Sequence, residues 1–139
     1  MRVLLDTNII IDFLTKREPF ANDAKEIIAL IETKSIEGYL SASSITTIHY
    51  LAQKVFNKEK ADTIIKDLLT IFEVSSLKKR DFLKAIDING NDFEDSVIIA
   101  TALENEIDII ITRDKKGFLK SEVLALEPKE FLVIFNQGE

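Results

Sequence analysis

Carboxylates are concentrated in this chain where packing alone would not put them. Asn91-Asp92-Phe93-Glu94-Asp95-Ser96 carries three acids in four positions and runs straight into the apolar Val97-Ile98-Ile99-Ala100. Acids suit the first turn of a helix, where they face the positive end of its dipole, and Asp92 can cap with Asp95 answering three residues later. The same spacing puts Asp92 and Asp95 on one helical face, where they could hold a cation. Glu94 points about 100° away from Asp95 and reads as a surface residue. Two further aspartates end the most buried-looking strand patterns, Leu4-Leu5-Asp6 and Ile110-Ile111-Thr112-Arg113-Asp114.

Carboxylates crowded into one crevice repel, and a divalent cation removes the conflict. A ligand set of oxygens, in a chain with no cysteine and one histidine, selects Mg2+ or Mn2+ over zinc. Such an ion can orient a phosphodiester and lower the pKa of an attacking water. Around the acids, Asn8 can orient Asp6 or simply cap a helix, and Thr112 can offer a hydroxyl or serve only as a β-branched strand residue. Arg113, Lys115 and Lys116 form a basic cluster beside Asp114 that could meet a nucleic-acid backbone. Lys78-Lys79-Arg80, the other basic cluster, reads as a solvated helix start. A calcium loop at Asp87-Ile88-Asn89-Gly90-Asn91 fails, because its glycine falls too early and Ile98 stands where the closing glutamate belongs. A phosphoaspartyl phosphatase would want a second acid where Asn8 stands. Nucleotide cradles and serine hydrolases have no motif here.

The elements that must position these residues follow from periodicity. Strands are expected at residues 2–5, 39–42, 73–77, 108–112 and 123–125. Thr7 is expected to cap a helix to about Leu14. A second helix opens at Pro19 and buries Phe20, Ala24, Ile27, Ile28 and Ile31, and Gly38 marks the turn after it. Ser43 and Ser44 would cap a third helix, its stripe Ile45, Ile48, Ala52 and Val55 with His49 alongside. Asn57 caps a fourth, with Ala61, Ile64, Ile65, Leu68, Leu69 and Phe72 on one face. A short helix over 78–86 should turn Phe82 and Ile86 inward, the acid-rich helix runs from 92 to 106, residues 115–117 form a loop, and Pro128 opens a closing helix.

Strands alternating with helices give an α/β fold: a single three-layer domain over 1–139 with a mostly parallel central sheet, about five short strands flanked by helices. Ligand crevices of such sheets lie outside the carboxyl ends of the strands, where strand order reverses. If the first and fourth strands are neighbours there, Asp6 and Asp114 meet at its mouth. Right-handed crossover then brings Asp92 and Asp95 to the same end.

Bulk composition bounds the function. With 139 residues, 46% hydrophobic and 30% charged, the chain suits one soluble domain. A net charge of −6 argues against a coat-like nucleic-acid binder, though not against an enzyme that meets phosphates through bound cations. Absence of cysteine excludes disulfides and thiolate sites and fits a reducing cytoplasm. Asp6 comes too soon for a signal peptide's apolar core, and no apolar run reaches the ~20 residues of a membrane span. A cytoplasmic location with no membrane association is expected.

Leu5-Asp6-Thr7-Asn8, Asp92-Phe93-Glu94-Asp95-Ser96 with Ile99-Ala100, and Thr112-Arg113-Asp114-Lys115 with Phe118 together resemble the signatures of PIN domains, most closely the branch with VapC-type toxins. The resemblance spans nearly the whole chain. It implies a Mg2+- or Mn2+-dependent ribonuclease in which Asp6, Asp95 and Asp114 bind metal and Asp92 assists. It also implies an RNA substrate and a small antitoxin partner, the chain being the toxin of a toxin–antitoxin pair. Apolar helix faces are open to that partner or to a homodimer. One departure stands out: where the family commonly has a glutamate, after an entry like Ser43-Ser44-Ile45-Thr46-Thr47, this chain has His49. His49 either packs beside the apolar stripe or contacts the metal's outer sphere or a phosphate, with Asp92 supplying the missing carboxylate. The departure keeps a second class open, a PIN-fold binding or scaffold module with impaired catalysis. A metal-dependent phosphatase is a distant third.

Overall fold

The computed structural model describes residues 1–138. In chain order the elements are β1 (Arg2–Leu5), α1 (Thr7–Leu14), α2 (Ala21–Glu32), β2 (Glu37–Ser41), α3 (Ala42–Val55), α4 (Lys58–Ile71), β3 (Glu73–Ser75), α5 (Lys79–Ile88), α6 (Phe93–Glu104), β4 (Ile109–Ile111), β5 (Leu124–Leu126) and α7 (Pro128–Gln137). A 3₁₀ turn, Lys115–Phe118, lies between β4 and β5 where a plain loop was expected. All strand pairs are parallel, in the order β3-β2-β1-β4-β5. The chain works outward from β1 to β3, then returns to lay β4 on the other side of β1. Strand order therefore reverses between β1 and β4, the address expected for a ligand crevice.

Side chains of a strand alternate between its faces, and the two central strands use both. Val3, Leu5, Ile109 and Ile111 face one core with Ile9, Ile27, Ile31, Ile48 and Phe131, contributed by α1, α2, α3 and α7. Leu4 and Ile110 face the other with Ile98, Ile99 and Ala102 of α6. Each such fully buried Leu or Ile contributes about 1.5–3 kcal/mol, so a one-residue slip of β1 or β4 would lose both cores together. α6 is buried continuously from Ser96 to Ala102 because it lies between the sheet and α5. That sandwich fixes the direction in which its acidic first turn points.

Several local expectations are corrected. Asp6, not Thr7, caps α1. α2 starts at Ala21 rather than Pro19, which lies in the preceding turn. Gly38 is inside β2, where a Cβ would stand 2.6 Å from the Ile31 side chain, so it permits close packing of α2 rather than marking a turn. Ser41 occupies the cap position of α3, while Ser44 is buried and accepts a hydrogen bond of 2.9 Å from Thr7 Oγ1. Val55 and Leu69 are exposed, while Ala61, Leu68 and Phe72 of the expected α4 face are buried. α5 is rotated from the expected face: Asp81 and Ala85 go inward, and Phe82 and Ile86 outward. The Asp81 carboxylate accepts from the Lys78 amide at 2.9 Å, a box that sets the helix rotation against the apolar preference.

Candidate active site

Parallel register puts Leu5 opposite Ile111, so Asp6 and Thr112 leave the sheet side by side. The Asp6 amide still donates to Ile111 O at 2.9 Å, continuing the ladder one residue beyond the strand. Both oxygens of the Asp6 side chain are then held. Oδ1 accepts from the Thr7 amide at 2.8 Å, and Oδ2 accepts from Thr112 Oγ1 at 2.8 Å. The Thr112 hydroxyl in turn accepts from the Asp114 amide at 3.0 Å. Thr112 is fully buried and is therefore the rigid link between the two strand-end aspartates. Of the two readings of Thr112, the hydroxyl presented to the acids is the one the geometry supports.

The third contribution comes from the first turn of α6. Asp92 Oδ1 accepts from the amides of Glu94 at 2.8 Å and Asp95 at 3.3 Å, so Asp92 is the cap. Asp95 packs against the turn after β4: a Cβ on Gly117 would fall 2.1 Å from Asp95 Oδ2. Only a glycine leaves room there for the carboxylate.

Electrostatics give the same address. Asp95 is pushed up to about 7, chiefly by partial burial and then by the charges of Asp6, Asp92, Asp114 and Glu94. Asp6 is raised by burial, an effect opposed by its bonds from Thr112 and Thr7, while Asp114 raises it further and Arg113 lowers it. Glu94 is exposed, yet burial of its surroundings and the charges of Asp6 and Asp92 raise it too. Five acids thus share one field. Its cost is carried by Asp95, whose proton would be displaced by any cation bound beside it.

Residues 2–116 match the family model described as the PIN domain. The chain belongs to the PIN domain family. It is 26% identical to "Ribonuclease VapC1" of Aquifex aeolicus (strain VF5) over 140 residues, covering 97% of this chain and 96% of that relative. Among solved structures it resembles a toxin–antitoxin complex from Klebsiella pneumoniae, at 20% identity and a TM-score of 0.69, with 91% of this chain and 97% of that chain covered. It also resembles VapC20 of Mycobacterium tuberculosis, described as a Sarcin-Ricin loop cleaving toxin, at 14% identity and a TM-score of 0.66 over 81% and 90% of the two chains. The five-stranded parallel sheet flanked by helices is the PIN fold.

The remaining expected residues of this PIN domain are distributed unevenly. Asn8 does not hold Asp6, whose donors are Thr7 and Thr112; its own amide oxygen is buried without a hydrogen-bond partner. Arg113 is turned away from Asp114 and grips Asp12, with Nη2 to Oδ1 at 3.2 Å, while its guanidinium stacks over Phe20 at 4.5 Å. Asp12 is 1% exposed, and a carboxylate so deep requires a paired cation, which removes Arg113 as a free backbone contact. Lys115 reaches Glu130 of α7 at 3.1 Å and is still half-exposed. His49 turns to α4: Nε2 lies 2.7 Å from Asp62 Oδ1, and Lys58 holds the other oxygen at 3.0 Å. It neither enters the core nor bonds to any of the acids. Among the described residues no three His, Cys, Asp or Glu side chains gather closely enough to cage a metal ion, and no helix is long and apolar enough to cross a membrane.

Glu94 is exposed, as its helical angle predicts, although its charge reaches Asp95. Gly117 carried no signal at all, since its role exists only through contact with Asp95. Asp12, six positions after Asp6 on the same helix, had the one legible trace: an acid among Ile9, Ile10, Ile11 and Phe13.

Proposed function

We propose that this PIN domain, acting as one unit over residues 1–139, is a divalent-metal-dependent endoribonuclease and the toxin of a toxin–antitoxin pair in the cytoplasm. The observation that carries the reading is geometric: Thr112 ties Asp6 to Asp114 at the mouth between β1 and β4, and Asp95 packs against Gly117 in the turn that follows. The donor set is oxygen only, which fits Mg2+ or Mn2+. Mg2+ commonly keeps several waters and takes only one or two carboxylates besides phosphate oxygens, so a tight protein cage is not required. Asp6, Asp95 and Asp114 would hold the ion, with Asp92 and Glu94 beside them. When bound, it would lower the pKa of an attacking water and neutralise phosphoryl oxygens. Thr112 orients Asp6 through its hydroxyl and opposes the rise that burial causes, and Gly117 lets Asp95 stand close to the strand ends. Lys115, anchored only at the surface, would meet an RNA phosphate.

The antitoxin has a candidate seat away from these acids. A groove of about 550 Å³ between α1, α2 and α4 is floored by Phe13, Leu14, Phe56 and Ile64. Lys16, Lys25 and Lys60 stand around it, which suits an acidic amphipathic segment. Expression of the chain in a bacterial host, alone and with Asp6→Asn, tests the function. Growth arrest with fragmented RNA is expected from the wild type only; equal growth with intact RNA in both would sink the reading.

One observation favours a second reading, a binding module with impaired catalysis: His49, which stands where the resemblance leads one to expect a carboxylate, is occupied by Asp62. The two readings separate on whether His49→Glu raises RNA cleavage from nothing or merely adjusts an existing rate.

A further inference from the structure

Beside the acids lies an aromatic surface that the fold leaves uncovered. Phe82 of α5 and Phe93, the first residue of α6, stack with ring centroids 6.5 Å apart and an interplanar angle of 23°. They are 40% and 52% exposed, and Ile86, one turn along α5 from Phe82, is 60% exposed. Stacking two rings outward costs apolar exposure that a core position would recover, and such patches mark contact surfaces. The position is specific. Phe93 sits between Asp92 and Glu94, on the flank of α6 that faces α5, while Glu94 and Asp95 lie toward Asp6. A helix is about 10 Å across, so a strand whose scissile phosphate rests at the acids passes its neighbouring bases over this flank.

The charges around the rings point to a polyanion. Lys78 and Lys79, four and three positions before Phe82 and so on its side of α5, are exposed, and neither is in an ion pair among the described residues. Arg80, by contrast, is committed to Glu104. Lysines are depleted from the centres of protein–protein contacts, whereas aromatic faces interleaved with cations are the recurring surface for single-stranded nucleic acid.

We propose that Phe82 and Phe93 form a base-stacking platform that, with Lys78 and Lys79, binds the unpaired RNA next to the cleaved bond. The inference rests on the ribonuclease reading for its choice of strand. The bases that reach the platform must be unstacked, because only unstacked bases can lie on a protein ring. It also gives a use to the Lys78-Lys79-Arg80 cluster, which otherwise reads as a solvated helix start.

Binding is measured by anisotropy of a labelled single-stranded oligoribonucleotide with Mn2+ present, in the Asp6→Asn chain so that the strand stays intact. Cleavage by the wild type is followed in parallel. Replacing Phe82 and Phe93 by leucine keeps the apolar volume, and circular dichroism checks the fold. The leucine pair is expected to weaken binding about tenfold or more, and tryptophan at both positions to restore it. Against an oligomer with abasic sites flanking the cleaved bond, parent and leucine variants should bind alike. Lys78→Gln with Lys79→Gln should lower the slope of log affinity against log salt by roughly 0.7 for each lysine. Cleavage without any dependence on the rings overturns the platform. So does a leucine pair that changes only the molar mass by light scattering, which would make the patch a contact between copies. Ring-dependent binding without cleavage in the wild type leaves the platform standing and removes the ribonuclease reading instead.

Discussion

Thr112 and Asp6, 106 positions apart in the chain, are joined by a buried hydrogen bond of 2.8 Å that fixes the first acid of the site to the end of β4. Thr112→Val keeps the shape and removes the hydroxyl, leaving a buried carboxylate oxygen and the Asp114 amide without partners. A loss of about 1–3 kcal/mol in urea denaturation is expected, along with a lower kcat for RNA. Thr112→Ser should restore most of both. If Val and Thr behave alike in cleavage, Asp6 is oriented by something other than this bond.

Asp95 makes stability depend on pH in an unusual direction. Its folded value of about 7 is above the unfolded value of 3.8, so the native state binds the extra proton. The resulting stabilisation is fully present below about pH 4 and is lost as pH rises through about 7. Because the carboxyl is partly exposed, Asp95→Asn should add only about 1–2 kcal/mol at pH 8, and nothing near pH 4. Thermal melts of the metal-free variant and wild type across that range check the sign. Mn2+ at pH 8 should raise the wild-type midpoint and not that of the variant.

Gly117→Ala would place a methyl 2.1 Å from Asp95 Oδ2, and the carboxylate would have to swing away. The turn itself is exposed enough to stay folded. Mn2+ affinity by calorimetry is expected to fall about 10–100-fold with an unchanged circular dichroism spectrum, as for other supports of metal ligands. Unaltered affinity would separate Asp95 from the metal.

Arg113 and Asp12 should behave as a structural pair. Arg113→Met leaves Asp12 buried and unpaired, a change worth about 3–5 kcal/mol, whereas Asp12→Leu with Arg113→Met should recover much of that loss. Denaturation of the single and double variants measures it. An Arg113 that contacted RNA instead would show its cost in KM and not in stability.

The sheet was legible because its central strands are nearly pure apolar runs, and each ends in the acid that leaves the fold at its carboxyl edge. Asp6, Asp92, Asp95 and Asp114 could be brought together on paper because topology, not detailed packing, determines which end of a parallel sheet they share. What stayed hidden depends on rotation and contact. α5 has Phe82 and Ile86 at spacing that suits burial, but the Asp81 carboxylate at the Lys78 amide turns the helix and sends them to solvent. Arg113 beside Asp114 looks like a free cation until Asp12 is found beneath it. His49 could not be placed from sequence, because its partner Asp62 is on the next helix and the contact depends on how α3 and α4 pack.

Metal-dependent cleavage of RNA by the acids gathered around Asp6 is the activity we propose. Purified chain is incubated with single-stranded RNA and Mg2+ or Mn2+, alongside Asp6→Asn and a chelator control, and the products are resolved on a denaturing gel. The expected result is internal cleavage by the wild type that disappears with the chelator and with Asp6→Asn. Intact RNA with folded wild type, or equal cleavage by Asp6→Asn, would contradict it.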